Sequence, residues 1–562
     1  LELYSNSFYK ALPTLKNGFM QDKMCDVGAV SNTDTFIKQG AYNTETATSW
    51  SWGALKNINY FIDGCNDPKY CTVDDNTRDN YLGIARWFRA WFYYDKLTTY
   101  GEVPWFPHDI QSYQNDVMYK DRDSRDVIIR NLIADLDFAY EHIQATSSTG
   151  SATLTRWAAA ALKSRVCLFE AAYRRYHNLT GLEITPEELY REAAKAAKLV
   201  IDNSGCSLNT AAGKKGAYRD LFYSETPLTQ EVILAVCANE KSGIFGEQNW
   251  WFNARSYGLC WSLVRSFVHT YLKLDGTPFT DAADYAVKSF TEEMEGRDLR
   301  LEQTVRGRNF LWDGKTAVAD IKNLSLTGYQ VIKYTLDESK YDGGAKNINS
   351  IPLIRYAEVL LNYAEAQAEL GVITDSEWAL TVGALRKRAG ITGGTETLPT
   401  TVDSYLQRTF YPDVTSPVLL EIRRERAIEL VAEGMRFDDL RRWKCGSLME
   451  TLPWSGIHIP GLEQPVDVNG DGVDDYYFTE GEVTAAPAAY RNIAIRVNQD
   501  GVGLYAEANA VAGYDLVYKT GAGDRYWYPD GRQYLYPIPA KVIRDYKNAG
   551  YTISQNPYWD NE

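Results

Sequence analysis

Oxygen-bearing side chains follow one another at the spacing of a calcium-binding loop between residues 467 and 475. The candidate oxygen ligands are Asp467, Asn469, Asp471, the carbonyl of Val473, and Asp475. They occupy the alternate positions from which such loops bind Ca²⁺, and Gly472 stands at the sixth position, where the chain must turn sharply. The twelfth position holds Phe478 instead of the usual glutamate, with Glu480 nearby. We predict a structural calcium site, with an Asx-rich surface turn as the alternative.

The sequence contains no recognisable catalytic motif. Its five histidines are scattered, and the sequence has no H-E-x-x-H, no G-x-S-x-G and no P-loop. Adjacent carboxylates such as Asp438 and Asp439 occur, and a glycosidase needs two carboxyl groups across a cleft. In a chain this acidic, such pairs are mostly solvated. We therefore expect a binding protein, with a glycoside hydrolase on a helical scaffold as the alternative.

Aromatic residues in loops give the better indication of function. With 40 Tyr and 15 Trp, the chain should expose many rings at its surface. A flat ring can stack on the C–H face of a sugar while polar neighbours bind its hydroxyls, and buried ring area stabilises by roughly 25 cal/mol per Å². The predicted ligand-binding residues are Tyr70, Arg78, Trp250, Trp251, Tyr285 and Trp312. Each ring could instead fill a gap in the core or contact a partner.

The amino-acid composition limits the classes of molecule that the protein can bind. The formal net charge of −15 disfavours nucleic acid, because phosphate binding needs clustered Lys and Arg. No stretch approaches the ~20 apolar residues of a membrane-spanning helix. The eight cysteines form no C-x-x-C pair, which disfavours zinc. Cys65 and Cys71 flank a short loop and could form a disulfide in an oxidising compartment or remain two thiols.

Apolar residues recur at helical spacing in paired segments. The predicted helices are Ser49–Asp63, Asp79–Thr99, Ser124–Gln144, Thr155–Tyr176, Pro186–Asn203, Leu353–Leu370 and Ser376–Ala389. Repeated helix pairs with small residues at their contacts resemble tetratricopeptide hairpins. We predict a single, mainly α domain over residues 1–562. Its helical-repeat scaffold covers residues 49–205 and 353–445, and irregular regions with a few short strands, at 206–352 and 446–562, bind or cover the ligand.

The segment Ser416–Trp443 has the densest pattern in the chain and is predicted to be helical. Ser416 can cap the helix, and Pro417 suits its first position because its missing N–H costs nothing there. Charged residues recur along one line of the helix, which predicts an ion-pair ladder. Gly434 indicates a close backbone approach or a bend. A structural ion-pair network is the favoured interpretation, and a charged ligand cleft is the alternative.

Residues 423–443 follow the pattern R-x-E-R-x-x-E-L-x-x-E-G-x-R-x-x-D-L-x-R-W. This pattern resembles the signature helix of SusD/RagB-like proteins, the nutrient-binding outer-membrane lipoproteins of Bacteroidetes. Arg86–Trp105, Tyr271–Phe279 and Thr327–Tyr334 also match the pattern of that family. The resemblance therefore extends over essentially the whole chain.

The resemblance implies a cell-surface glycan-binding protein that captures oligosaccharide or polysaccharide for a SusC-like TonB-dependent transporter. It also implies a lipidated cysteine, expected before Leu1, that tethers the protein to the outer face of the outer membrane. SusD-like proteins take ligand from an aromatic arc in loops, a placement that points to Tyr70, Tyr285 and Trp312. A RagB-like peptide-binding protein, with a more acidic and less aromatic pocket, remains the alternative within the family.

Overall fold

Helices dominate the computed structural model, which describes residues 1–16, 22–147, 149–253, 260–519 and 525–560. The principal helices are α1 Gly53–Asn66, α2 Asp75–Tyr100, α3 Arg125–His142, α4 Arg156–Tyr176, α5 Pro186–Asn203, α6 Tyr356–Glu369, α7 Asp375–Leu380, α8 Val382–Arg388, α9 Ser404–Phe410, α10 Pro417–Glu429, α11 Arg436–Arg442 and α12 Ala540–Asn548. Shorter α-helical turns are Glu2–Ser5, Asn115–Met118, Asp220–Tyr223, Gln248–Asn253, Arg265–Val268, Phe290–Met294, Arg300–Thr304 and Leu448–Thr451.

Side-chain caps fix where several of these helices begin. The side chains of Asp74, Ser124 and Thr155 accept hydrogen bonds from the first turns of α2, α3 and α4. At α5, Thr185 and Glu188 form a reciprocal capping box, and Pro186 occupies the first turn. These caps satisfy backbone N–H groups that have no partner inside the helix, so they set the boundaries locally.

Helices that are consecutive in the sequence pack against each other along most of the scaffold. Helix α1 contacts α2, α2 contacts α3, and the series continues through α4, α5 and α6 to α10. The start of α4 is a run of buried alanines, Ala158–Ala161, whose small side chains allow the neighbouring helices to approach closely. The predicted mainly α scaffold of successive helix pairs is confirmed.

The strands are short and are gathered into small sheets. They are β1 Gly28–Ala29, β2 Val232–Val236, β3 Ser262–Leu263, β4 Leu311–Trp312, β5 Lys315–Thr316, β6 Ile351–Arg355, β7 Ser455–Ile459, β8 Pro465–Val466, β9 Tyr476–Thr479, β10 Ala494–Arg496, β11 Leu504–Ala508 and β12 Tyr514–Tyr518. Strands β1 and β3, β2 and β6, and β4 and β5 form antiparallel pairs. Two three-stranded sheets, β11-β12-β7 and β10-β9-β8, lie in the tail. Among the strands that the structure describes, only β9 and β10 pair in parallel.

Three of the predicted helical segments differ from the structure. The segment from Leu353 begins as strand β6, because its backbone pairs with β2, and becomes helical only at Tyr356. The segment from Ser376 is divided into α7 and α8 at Thr381, whose φ of −108° and ψ of −93° are not helical. The prediction of one continuous helix over Ser416–Trp443 is wrong in its middle, since α10 ends at Glu429 and α11 begins only at Arg436.

A left-handed backbone turn separates α10 from α11. Ala432 has a φ of 61° and Gly434 a φ of 76°, values that an α-helix does not tolerate. The bend that Gly434 suggested is therefore a complete break. It turns α11 away from the axis of α10, and the side chains of the signature segment consequently reach several different neighbours.

The tail packs back over the first helices. The Arg122 guanidinium donates to Ser554 Oγ, Asn556 Oδ1 and the Gln555 carbonyl. Asn556 Nδ2 donates to the carbonyl at the end of α2, Tyr100 O, at 2.9 Å. These hydrogen bonds join the C-terminal segment to the end of α2 and to the connection that follows it.

Candidate ligand-binding site

The charged residues of the signature segment form a buried network and not an open cleft. Glu429 is fully buried and accepts hydrogen bonds from Arg300 at 2.8 Å, from Arg355 at 2.6 Å and from Arg388. Burial alone would raise the pKa of Glu429, but the three arginines hold it well below its usual range. The Lys333 ammonium and Arg355 bind Glu433 in the same way, at 2.7 Å each.

The partners of these charges differ from the predicted ladder. Arg426 binds Asp439 on the following helix at 2.8 Å, and Arg436 binds Asp26 near the start of the chain at 2.7 Å. The ion pairs of the predicted ladder residues Arg426, Glu429, Glu433 and Arg436 therefore join separate segments instead of running along one helix. This geometry supports the structural interpretation of the signature segment and places its charges out of reach of a ligand.

Tyr285 lies in a polar groove of about 690 Å³ between the irregular lobe and the segment that precedes α9. We call it the tyrosine groove; its principal lining residues are Thr280, Asp281, Tyr285, Thr400, Thr401, Ser404, Tyr405 and Arg408. The rings of Tyr285 and Tyr405 are both half-buried, and their centroids are 6.1 Å apart at an angle of 74°. They form two adjoining aromatic walls, one of which the sequence predicted.

The charges at the base of the tyrosine groove are already paired. Asp403 caps α9 and binds Arg424, and Arg386 binds Glu421 and Glu425. Arg408, in contrast, is exposed and makes no ion pair within the residues that the structure describes. Asp281 is also exposed and makes no ion pair in the described ranges, so the groups that face solvent are the hydroxyls of the rim, one carboxylate and one guanidinium. Together they suit a polar ligand that has both donors and acceptors.

A buried polar cluster supports Tyr285 from below. The ring of Tyr285 packs edge-on against His269 at 5.4 Å, and His269 Nε2 is 2.9 Å from Glu293. Arg265 donates to the same carboxylate at 2.8 Å, and Tyr329 also binds it. Burial opposes ionisation of Glu293, yet Arg265 and these hydrogen bonds lower its pKa to about 2. The cluster therefore fixes the position of one aromatic wall.

Tyr70 lies in the loop between α1 and α2, and Arg78 lies in the first turn of α2. Tyr70 is 70% exposed, and the Lys69 ammonium is 5.0 Å from the centroid of its ring. Arg78 is bound to Asp75 at 2.7 Å and to Asp79 at 2.8 Å. The ring of Tyr70 is thus available to a ligand, whereas the guanidinium of Arg78 would have to exchange partners.

The three predicted tryptophans lie in two other places. Trp250 packs against the backbone at Gly344, and Lys23 is 5.9 Å from the ring of Trp251, so both indoles are partly covered by neighbouring segments. Trp312 lies on the β4–β5 hairpin, half-buried and stacked on Phe310 at 6.2 Å. Their role in ligand binding stays a prediction.

Sequence reasoning missed the second wall and the polar rim of the tyrosine groove. Tyr405 follows the cap residue Asp403, a local signal for a helix start but not for a binding site. Its hydroxyl donates to the Ser266 carbonyl at 3.1 Å, a contact that crosses from α9 to the irregular lobe. Only the tertiary fold brings Tyr405 beside Tyr285.

The acidic loop at residues 467–475 is stabilised by its own backbone. Asp467 accepts from the N–H groups of Gly470 and Gly472, at 2.7 and 2.8 Å, and Asp475 accepts from Val468 N at 2.9 Å. Burial and the neighbouring carboxylates of Asp467 and Asp471 raise the pKa of Asp475. Within the described ranges, no three Asp, Glu, His or Cys side chains are grouped so as to hold a metal ion. Calcium binding here would need these side chains to rotate, and it stays a prediction.

The sequence also led to predictions about membrane-spanning helices and about the cysteines. No helix in the described part of the chain is both long and apolar enough to span a bilayer. Cys65 and Cys71 are both free thiols in this structure. Burial and the adjacent thiol of Cys71 raise the pKa of Cys65 to about 12. The two cysteines are therefore neighbours in the reduced state.

Comparisons with known proteins agree with this architecture. The chain resembles a SusD-like protein from Bacteroides fragilis (TM-score 0.66, 20% identity, 99% of this chain and 96% of that chain). It also resembles a SusD-like carbohydrate binding protein from the same organism (TM-score 0.68, 18% identity, 97% of each chain). A SusD superfamily protein from Parabacteroides distasonis gives a TM-score of 0.58 at 19% identity, covering 99% and 98%.

These likenesses establish the fold, and the sequence establishes the family. No curated protein matches the chain. The model of the SusD family matches residues 230–559, more than half of the chain, including the tyrosine groove and the signature segment. The chain therefore belongs to the SusD family.

Proposed function

We propose that this protein binds glycans without chemically altering them, at the tyrosine groove. The observation that carries the proposal is the pair of adjoining rings, Tyr285 and Tyr405, beside free hydroxyls and the unpaired Arg408. Rings of this kind stack on sugar C–H faces, and hydroxyl and guanidinium groups bind sugar oxygens. The likeness to a structure described as a SusD-like carbohydrate binding protein supports the same ligand class.

The paired charges at the base of the groove favour a glycan over a peptide. A peptide-binding site of the alternative type would present several unpaired carboxylates to the ligand. Here Asp403 and Glu421 are occupied by arginines, and among the described lining carboxylates Asp281 alone makes no ion pair. Hydrolysis would need two carboxyl groups that are free to exchange protons across the cleft. The same pairing removes these two carboxylates from that role.

We further propose that the captured glycan passes to a SusC-like TonB-dependent transporter at the outer face of the outer membrane. Family membership supports this assignment. The tyrosine groove is open, so a bound chain could be handed on without unfolding of the binding protein. Co-purification tests the partner and the anchor together. The transporter should co-purify with the full-length lipidated protein, and it should no longer do so when the lipidated cysteine is removed.

The binding site is tested by one substitution and a matched control. After a glycan array identifies a ligand, titration calorimetry compares the parent with Tyr285→Ala, which removes one wall of the groove. Loss of one stacking ring should weaken binding by about fivefold or more. Tyr113→Ala, which removes an 80% exposed tyrosine outside the groove, should bind as the parent does.

Three outcomes would contradict the proposal. Equal affinity of Tyr285→Ala and the parent would exclude the tyrosine groove as the site. Release of reducing ends during incubation with polysaccharide would show hydrolysis. Retention of peptides in place of glycans would favour the peptide-binding alternative.

A further inference from the structure

A second groove, of about 1100 Å³, shares no lining residue with the tyrosine groove. It runs between the start of α1, the connection from α2 to α3 and the C-terminal helix α12. We call it the aromatic groove and define it by the rings of Trp50, Trp52, Phe106, Tyr119 and Tyr546. Sequence reasoning did not single it out, because its walls come from both ends of the chain.

The rings of the aromatic groove form two edge-to-face clusters. Trp52 lies 5.3 Å from Trp50 at 73° and 5.2 Å from Phe106 at 77°. Tyr119 lies 5.1 Å from Tyr546 at 88°. Trp50, Trp52 and Tyr119 are only half-buried, so part of each ring remains open to a ligand. Perpendicular neighbours hold each ring in place while leaving a face free.

Buried contacts keep both walls in position. The Lys96 ammonium donates to the Ser49 carbonyl at 3.2 Å and lies 6.0 Å from the ring centroid of Trp52. On the opposite side, Ala540 N donates to the Thr44 carbonyl at 2.8 Å, which ties α12 to the segment before α1. The groove is therefore preorganised, and a ligand need not order these segments.

The rim of the aromatic groove carries an excess of one positive charge, whereas the whole chain is acidic. Lys and Arg outnumber Asp and Glu on the rim, whereas the whole chain has 59 Lys and Arg against 74 Asp and Glu. Arg544 is paired with Glu45, and Lys541 with Asp545 at 2.6 Å. Lys56 is exposed and makes no ion pair within the described residues. One positive charge therefore stands uncompensated beside the rings.

We propose that the aromatic groove is a second saccharide-binding site, selective for an oligosaccharide that carries carboxylates, such as a uronic-acid glycan. The half-open rings receive the C–H faces of the sugars, and Lys56 attracts the carboxylate. The volume exceeds the ~300–1,000 Å³ of typical small-ligand sites, so it accommodates more than one sugar unit. An acidic peptide shares the charge but lacks the flat C–H face that the rings would stack against.

Two variants of the intact protein test this site. Trigalacturonate and the corresponding neutral galactose trimer are titrated against the parent, Trp50→Ala and Lys56→Gln. We expect Trp50→Ala to weaken binding of the acidic trimer by about fivefold or more. Lys56→Gln should weaken it by about two- to fivefold, with the difference lost in high salt. Lys340→Gln, which removes an exposed lysine on the irregular lobe, is the matched control and should bind as the parent does.

The variant Tyr285→Ala distinguishes binding at the tyrosine groove from binding at the aromatic groove. This variant should leave binding of the acidic trimer unchanged, so failure of the tyrosine groove and failure of the aromatic groove are distinguishable. Three results would overturn the inference. They are no binding of the acidic trimer to the parent, an equal loss of affinity for the neutral trimer in Lys56→Gln, and tighter binding of a polyglutamate peptide than of the acidic trimer. Lys56 is exposed, so its variant keeps the test valid even where Trp50→Ala is unstable.

Discussion

Replacing Glu429 with Gln tests whether the signature segment stabilises the fold or binds ligand. The substitution keeps the size of the side chain and removes one buried negative charge from among three arginines. Removing one partner of a buried ion pair usually costs about 3–5 kcal/mol, because the other charge is left unpaired. The structure determines where in that range the cost falls.

Each arginine around Glu429 keeps a second carboxylate. Arg300 still binds Asp298 at 2.6 Å, Arg355 binds Glu433 at 2.7 Å, and Arg388 binds Glu231 at 3.1 Å. We therefore expect the lower end of the range, about 3 kcal/mol. With an unfolding entropy of about 2.1 cal/mol/K per residue over 562 residues, this corresponds to a fall in Tm of about 2–3 °C if the chain unfolds as one unit.

Differential scanning calorimetry of the parent and Glu429→Gln measures this shift, and glycan titration of both proteins measures ligand affinity. We expect a lower Tm with unchanged affinity. The matched control is Glu396→Gln, which removes an exposed partner of Lys387 and should leave Tm unchanged. If the affinity of Glu429→Gln collapsed while its Tm stayed at the parent value, the network would be a ligand site and the reasoning would be wrong.

Three further predictions concern other parts of the chain. Calorimetry with Ca²⁺ should show binding to the parent that is lost in the Asp467→Ala/Asp471→Ala double variant; identical isotherms would remove the predicted site. Trp312→Ala should weaken glycan binding with little change in Tm, and unaltered affinity would place Trp312 outside the site. Burial lowers the pKa of His177 to about 4, so between pH ~6.5 and ~4 the unfolded chain binds the proton first and stability should fall as pH falls. Urea titrations of His177→Gln should show a weaker pH dependence over that interval than the parent; equal slopes would refute this assignment.

Local patterns in the sequence predicted most of the scaffold. Helices α2, α3, α4 and α5 begin at caps that are legible in the sequence, and their apolar residues recur at helical spacing. The break between α10 and α11 was not predictable to the residue, because a single Gly434 is compatible with a bend or a complete break. Pairing with β2, a long-range contact, converted the start of the predicted helix at Leu353 into a strand.

The candidate site was predicted only in part, for the same physical reason. Tyr285 was recognised from its type and its loop-rich surroundings. The second wall, Tyr405, has only a local helix-start signal, and the aromatic groove joins Trp52 to Tyr546 at the opposite end of the chain. A sequence read in short windows shows which rings exist, whereas the grooves depend on which distant segments are brought together.

The packing of the tail over the first helices bears on the order in which the protein matures. Contacts such as Arg436 with Asp26, Asn556 with Arg122, and Gln533 with Phe36 span 410, 434 and 497 residues. Contacts this distant form slowly, since long loops must close before they contribute. During synthesis the helices α1 and α2 are translated before the residues around Gln533 and Asn556, which supply polar partners to the segments beside them. Chains that terminate before Gln533 should therefore be substrates for proteolysis, and the native state should be reached only after Asn556 has left the ribosome.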